Sequence, residues 1–326
     1  MTPLPALYLR MLRYRVAAMI WMFMLLGVAL HGEVTLGLAL VAASLVLACS
    51  YVCATCLNDI ADEDVDRINH PGDAGRPLVV GAATRTDLWT VAVAAGLVTL
   101  LAAVPLGPQG IAVAVASLAL AHAYSLSPVR LSYRTYLALV GLSIAYVVVP
   151  YALGVVVADA SPGVRDIVLC SGLFLLFYAR INLKDFRDRA GDAAYGKPTF
   201  LLRFGKDATC ATSAATLAIG SILILIGLDG AVVETALLAI FPAAIFAMLH
   251  RLWRSTDEAA EQIAIGLGAR MGNGFLISCL TLLLLRAAAA PLEHRIVVLA
   301  LLAVVYGGSV GLLAIRPQEI VIGYKA

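Results

Sequence analysis

The chain alternates between long apolar runs and short polar breaks. A helix that crosses the hydrocarbon core of a bilayer takes about 20 mostly apolar residues. Ten runs approach or exceed that length: 16–31, 34–57, 88–105, 109–126, 136–158, 166–183, 208–228, 231–250, 271–290 and 294–315. The breaks alternate short and long, and the two longest, 58–87 and 184–207, hold most of the acidic residues. This pattern predicts an all-α, polytopic transmembrane bundle of nine to ten spans. It forms a single domain over residues 1–326, with 294–315 as an extra C-terminal helix. Arg10, Arg13 and Arg15 precede the apolar stretch 16–30 as in a secretion signal, but no small-residue cleavage site follows, so the stretch reads as a retained first span.

Composition agrees with that reading. Of the 326 residues 62% are hydrophobic and 13% charged, and the mean hydropathy is +0.94. Soluble domains carry roughly 25% charged residues, so the bilayer must be the solvent for most of this chain. A net charge of +2 is too small to argue for a nucleic-acid partner. Cys49, Cys53, Cys56 and Cys170 fall inside apolar runs and read as small packing residues. Cys53-x-x-Cys56 lacks the second pair that a zinc site requires.

The placement of charge is more informative than its sum. With a cytoplasmic N-terminus, twenty of the 23 Lys and Arg residues, from Arg10 to Lys325, fall on the cytoplasmic side, Arg180 among them. Only Arg165, Arg286 and Arg295 fall outside. That asymmetry satisfies the positive-inside rule and predicts a multi-pass cell-membrane protein whose two longest loops open on the cytoplasm. Loop 58–87 holds seven acidic residues against three arginines. Such a cluster at the end of an apolar helix is costly unless cations neutralise it.

Two acidic clusters share one logic. Asn58, Asp62 and Asp66 are spaced i, i+4, i+8, and Asp185, Asp188 and Asp192 are spaced i, i+3, i+7. At about 100° per residue each set lines one helix face. Arg76-Pro77 follows the first set after a glycine, and Lys197-Pro198 follows the second after another. Hard oxygen ligands in short supply suit magnesium, which keeps several waters and takes one or two carboxylates plus phosphate oxygens. Two such faces predict two Mg2+ ions around one diphosphate, with Arg67, Arg130, Lys184, Arg189 and Lys197 completing the anion site. A calcium-binding EF-hand starting at Asp62 is excluded, because Arg67 and Asp73 stand where it needs Gly and Glu.

These residues resemble the UbiA superfamily of intramembrane prenyltransferases. Asn58, Asp59, Asp62 and Asp66 match its N-D-x-x-D-x-x-x-D motif. Asp185, Asp188 and Asp192 match its second motif, trailed by Gly196-Lys197-Pro198-Thr199, and Tyr124-Ser125 is similar to its Tyr-Ser segment. The resemblance covers about residues 10–290. It implies helices around a central cavity, open to lipid and capped by cytoplasmic loops. It further implies metal ligation by the six motif residues, diphosphate contacts from Arg67, Lys184 and Arg130, and Tyr124 beside the reacting carbon. Asp62 would take the released proton. The implied reaction ionises an allylic prenyl diphosphate and transfers the prenyl group to a lipophilic, aromatic acceptor. A membrane terpene cyclase using the same motifs is the alternative, and a transporter a remote one. The second span carries no charged residue over 41–57, where branches that accept hydroxybenzoate are expected to place a basic one. Tyr51, Tyr146, Tyr151 and Tyr178 are further candidates to line the cavity.

Overall fold

The computed structural model describes residues 3–316, so Lys325 lies outside the described residues, as does the Arg15 side chain. All its regular elements are helical, as a chain immersed in lipid requires, because only a helix or a closed barrel satisfies every backbone N–H and C=O internally. The helices are α1 (Leu4–Met11), α2 (Tyr14–His31), α3 (Leu38–Ala61), α4 (Glu63–Asn69), α5 (Arg85–Ala103), α6 (Gly107–Ser125), α7 (Thr135–Ser143), α8 (Val149–Val157), α9 (Val164–Asn182), α10 (Asp185–Ala194), α11 (Phe200–Leu228), α12 (Val232–Arg254), α13 (Glu258–Ala287) and α14 (Leu292–Ile315).

Each of the ten apolar runs coincides with one long helix or a bent pair. Seven stretches are long and apolar enough to cross a membrane, and one of these, Arg85–Ser125, is 41 residues long. That stretch is interrupted at Val104–Leu106, a single 3₁₀ turn ending at Gly107 with φ 69°, which separates α5 from α6. The capping box at Thr84 starts α5: the Asp87 N–H donates to Thr84 Oγ1, and the Thr84 N–H donates back to Asp87 Oδ2. The chain is a multi-pass membrane protein.

Two apolar cores hold the bundle, and a small third seats one end of it. The largest is centred on α2, α8, α9, α11 and α13 around Phe23, Leu153, Leu173 and Phe275. Another lies among α1, α3 and α5, where Cys49, Cys53 and Cys56 pack as free thiols. The third places the fully buried Phe186 of α10 against Leu201, Leu249 and Leu252. Helix α14 stands apart, since Leu299 is its one buried residue. It packs on α12 and α13, tied by Arg295 to Glu234 at 3.1 Å and by Arg270 to Ser309 at 2.9 Å.

Candidate active site

Two short helices, α4 and α10, bring the acidic motifs together at one end of the bundle. The first motif is not one continuous helix. Helix α3 ends at Ala61, Asp62 takes φ −108° and ψ 15°, and α4 begins at Glu63. Two i→i+4 bonds cross this break, Asp62 N–H to Asn58 O and Asp66 N–H to Asp62 O. Asn58, Asp62 and Asp66 therefore stay on one side although the axis breaks. The second motif lies wholly on α10, which is bent 54° from α9.

Helices α4 and α10 touch at Gly191. Its N–H donates to Asn69 Oδ1 at 2.6 Å, and a Cβ there would sit 2.6 Å from the Val65 carbonyl oxygen. Only glycine allows this approach. Side chains then bridge the motifs. His70 Nε2 lies 3.3 Å from Asp188 and 4.0 Å from Asp66. Lys197 Nζ lies 3.2 Å from Asp62 and 3.6 Å from Asp192. Lys197 reaches back because Gly196, at φ 63°, ends α10 and returns the chain over its acidic face.

A cavity of roughly 1030 Å³ opens beneath these helices. Asn58, Asp62, Tyr124, Lys184, Arg187 and Lys197 line its polar end, with Arg13 and Arg76. Tyr51, Tyr146, Leu47 and Leu142 line its apolar part. Tyr146 sits in a π-helical turn, Ile144–Val148, between α7 and α8. Pro150 explains that turn, because it has no N–H for the carbonyl of residue 146 and its ring would clash there. Tyr146 stacks on Phe177 at 5.2 Å and meets Tyr51 edge-on at 5.9 Å. A smaller recess between Tyr124, Asp185, Asp192 and Lys197 adjoins the polar end.

The electrostatics of the site combine burial with close pairing of carboxylates and cations. Asp59, 2% exposed, accepts from Arg13 at 2.6 Å and from Arg76. Arg76 also pairs with Asp66 at 2.8 Å. Burial would raise Asp188, but Lys184, Arg187 and a His70 hydrogen bond hold it well below the usual carboxylate range. Burial raises Asp66 to about 6 and Asp185 to about 7, against the opposing pull of Arg76 and Lys184 respectively. Asp62 Oδ1 is buried and accepts no hydrogen bond, with Arg130 Nη2 3.9 Å away.

These residues fit divalent ions whose shells are completed by phosphate. Among the described residues, no three Asp, Glu, His or Cys side chains converge closely enough to hold a metal alone. Magnesium needs only one or two carboxylates when water and phosphate oxygens supply the rest. The unbonded Asp62 oxygen and the raised Asp66 and Asp185 are what such a donor set looks like before a cation neutralises it.

Not every residue expected from the sequence faces the cavity. Arg67 is more than half exposed and pairs with Glu63 and Asp64 on its own helix. Arg189 pairs with Glu261 at 2.8 Å, on the side toward α13. Arg130 stacks over Tyr133 at 3.7 Å and donates to the Ala61 carbonyl. Of the four tyrosines, Tyr51 and Tyr146 line the cavity. Tyr151 donates to Asp166 at the opposite end, and Tyr178 packs beside Phe174. Sequence reasoning missed Arg13, His70, Arg76 and Arg187 as site residues. For Arg76 the signal existed in its parallel with Lys197, whereas nothing local distinguishes Arg13 from Arg10.

Residues 18–280 match the UbiA prenyltransferase family. The chain is 29% identical over 191 residues to the bacteriochlorophyll synthase 33 kDa chain of Rhodobacter capsulatus, an alignment covering 56% of this chain. The chain thus spans 60% of the length of that curated relative. In structure it is similar to digeranylgeranylglyceryl phosphate synthase, with a TM-score of 0.67, 16% identity, and coverage of 87% of this chain and 99% of that one. It is also similar to a UbiA homolog from Archaeoglobus fulgidus bound to GPP and Mg2+, with a TM-score of 0.63, 18% identity, and coverage of 85% and 99%.

Proposed function

The chain belongs to the UbiA prenyltransferase family, and from that premise we propose that it transfers a prenyl group from an allylic prenyl diphosphate to a lipophilic acceptor. The observation that carries this reading is the buried, unbonded Asp62 oxygen at the wall of the motif cavity, with Lys197 bridging Asp62 and Asp192 above it. Asn58, Asp62, Asp66, Asp185, Asp188 and Asp192 would hold two Mg2+ ions. Bound magnesium supplies positive charge where the leaving diphosphate develops negative charge. The bound GPP and Mg2+ of the Archaeoglobus fulgidus homolog support this use of the fold.

The chain's own residues do the rest. Lys184, Arg187 and Lys197, which line the cavity, bind the diphosphate oxygens and stabilise it as the allylic C–O bond breaks and the electron pair leaves with oxygen. Tyr51 and Tyr146 present ring faces to the allylic cation, an attraction of the cation–π kind. Tyr124 lines the wall beside the reacting carbon. Helices α4 and α10 cap the cavity and keep water from the cation. The acceptor atom then forms the new bond to carbon, and a proton it releases passes to Asp62. The likeness to a bacteriochlorophyll synthase supports a separate lipophilic acceptor. The motif end faces the cytoplasm, in keeping with Arg165, Arg286 and Arg295 as the basic residues assigned to the other side.

Purified protein incubated with Mg2+, geranyl, farnesyl or geranylgeranyl diphosphate and a panel of lipophilic phenols and aromatic acids tests this by mass spectrometry. A prenylated acceptor is the expected product. Cyclic hydrocarbons or alcohols formed without any acceptor would replace the transferase reading with a cyclase.

A further inference from the structure

A second cavity, roughly 1130 Å³, is bounded by α2, α9, α11, α12 and α13. Among the described residues, none of the motif aspartates lines it, and its walls are mostly apolar, with Met19, Leu217, Met248 and Leu276. Arg180 stands in the same lining, engaged with Asn273 Oδ1 of α13 at 2.9 Å. Ile181, Lys184 and Arg187 line both this cavity and the motif cavity. The end of α9 and the start of α10 therefore form a septum between the two.

Four aromatic rings continue that septum away from the motif helices. Tyr51 and Tyr146 line the motif cavity, whereas Phe23 and Phe177 line the second. They touch in one row. Tyr51 meets Tyr146 edge-on at 5.9 Å, Tyr146 stacks on Phe177 at 5.2 Å, and Phe177 meets Phe23 edge-on at 6.2 Å. The rings come from α3, the π-helical turn, α9 and α2 in that order, so the row exists only once the bundle has packed. Phe177 and Ile181 are one turn apart on α9, which joins the row to the residues shared by both cavities. Phe177 and Phe23 are fully packed, at 3% and 1% exposure. A hydrocarbon tail is stabilised wherever apolar walls remove it from water, and the second cavity offers such walls. It is kept out by shape and not by chemistry.

We propose that the Tyr146–Phe177 stack sets the longest prenyl tail this chain accepts, by closing the second cavity to tails that outgrow the motif cavity. This rests on the prenyl-transfer reading above. Phe177 is the specificity-determining half of the stack. It does not line the motif cavity, so it acts on tail length and has no part in holding the diphosphate.

Calorimetric titration of the purified protein tests the assignment, with Mg2+ and prenyl thiodiphosphates from geranyl to nonaprenyl in steps of one isoprene unit. Wild-type affinity should rise with length and then fall about tenfold at the first tail that outgrows the motif cavity. Phe177→Ala should move that fall at least one isoprene unit longer and leave geranyl affinity within about twofold. Phe177→Leu, milder for folding, should soften the same fall to about threefold, and it decides the matter if Phe177→Ala does not fold. Met248→Trp fills part of the second cavity. Added to either variant, it should restore the wild-type cutoff, which a general loosening of the bundle would not do. A wild type without a fall at any length, a fall unchanged in the folded Phe177 variants, or a cutoff that stays shifted after Met248→Trp would each overturn the proposal. Failure of the wild type to bind any thiodiphosphate with Mg2+ would instead remove the prenyl-transfer reading, a result separable from a cutoff in length.

Discussion

Carboxylates are buried at both ends of this bundle, and their surroundings differ. At the end away from the motifs, the fully buried Glu234 of α12 accepts from Arg286 of α13 at 2.5 Å, from the Ala231 N–H, and pairs with Arg295 of α14. Asp166 of α9 accepts from Tyr151 at 2.9 Å and from the Gly163 N–H, and pairs with His31 of α2. Each ties several helices together, and neither lines any of the three cavities described. At the motif end Asp62, Asp185 and Asp192 line voids. Asp62 Oδ1 and Glu234 Oε1 both accept no hydrogen bond, but Glu234 Oε1 has Arg295 at 3.1 Å whereas Asp62 Oδ1 has Arg130 at 3.9 Å and a cavity beside it. Burial of an acid is therefore not what marks a site. A buried acid with its partners in place is a tie between helices, whereas one left short beside a cavity is a seat for a ligand.

The sharpest way to break this contrast is to remove one charge at each end. Asp62→Asn should lower turnover by about 10²–10³-fold, the scale of losing one electrostatic contact to a developing charge, while its unfolding temperature stays near that of the wild type. Asp188→Asn should behave alike, and retained product formation in both would remove the metal assignment. Glu234→Gln should do the reverse. It leaves Arg286 and Arg295 without their anion, a loss of about 3–5 kcal/mol for breaking a buried pair, read by denaturation in detergent. Turnover per folded molecule should be unchanged.

Smaller perturbations refine the picture. Gly191→Ala places a methyl against the Val65 carbonyl and should cost about 1–3 kcal/mol of overpacking. Because it pushes α4 from α10, Mg2+ titration should show weaker binding than its modest stability loss alone would suggest. The smallest effect belongs to Arg67→Ala. Its exposed pairs with Glu63 and Asp64 are worth about 0–1 kcal/mol, and turnover should change by less than about twofold. A large loss there would mean that Arg67 reaches the diphosphate when substrate is bound.

Much of this architecture could be read along the chain. Apolar runs of bilayer length define the long helices because lipid leaves the backbone no other way to satisfy its polar groups. Spacings of three and four mark the acidic faces because helical periodicity is local. The Gly196-Lys197-Pro198 echo of Arg76-Pro77 marks a repeat whose meaning is read only for Lys197; in the structure both basic residues return over their motifs, Lys197 onto Asp62 and Asp192, Arg76 onto Asp59 and Asp66. Reading cations by proximity in sequence was less reliable. Arg67 and Arg189 stand beside motif aspartates, yet they turn to Glu63 and Glu261.

Solvent, the long apolar helices and motif spacing follow from hydropathy and period alone, since each depends on residues within a few turns of one another. Four features depend on segments far apart in the chain meeting in space. They are the break at Asp62, the Gly191 contact between α4 and α10, the arginine pair on Asp59, and the division of the interior into two chambers by α9. Arg180 shows why. Five residues before Asp185, it looks like one more interfacial charge, and only the packing of α2, α9, α11, α12 and α13 turns it inward to an apolar wall. A side chain's chemistry is written in its own residue type, but its electrostatic worth is set by what surrounds it, and that is a property of the assembled helices.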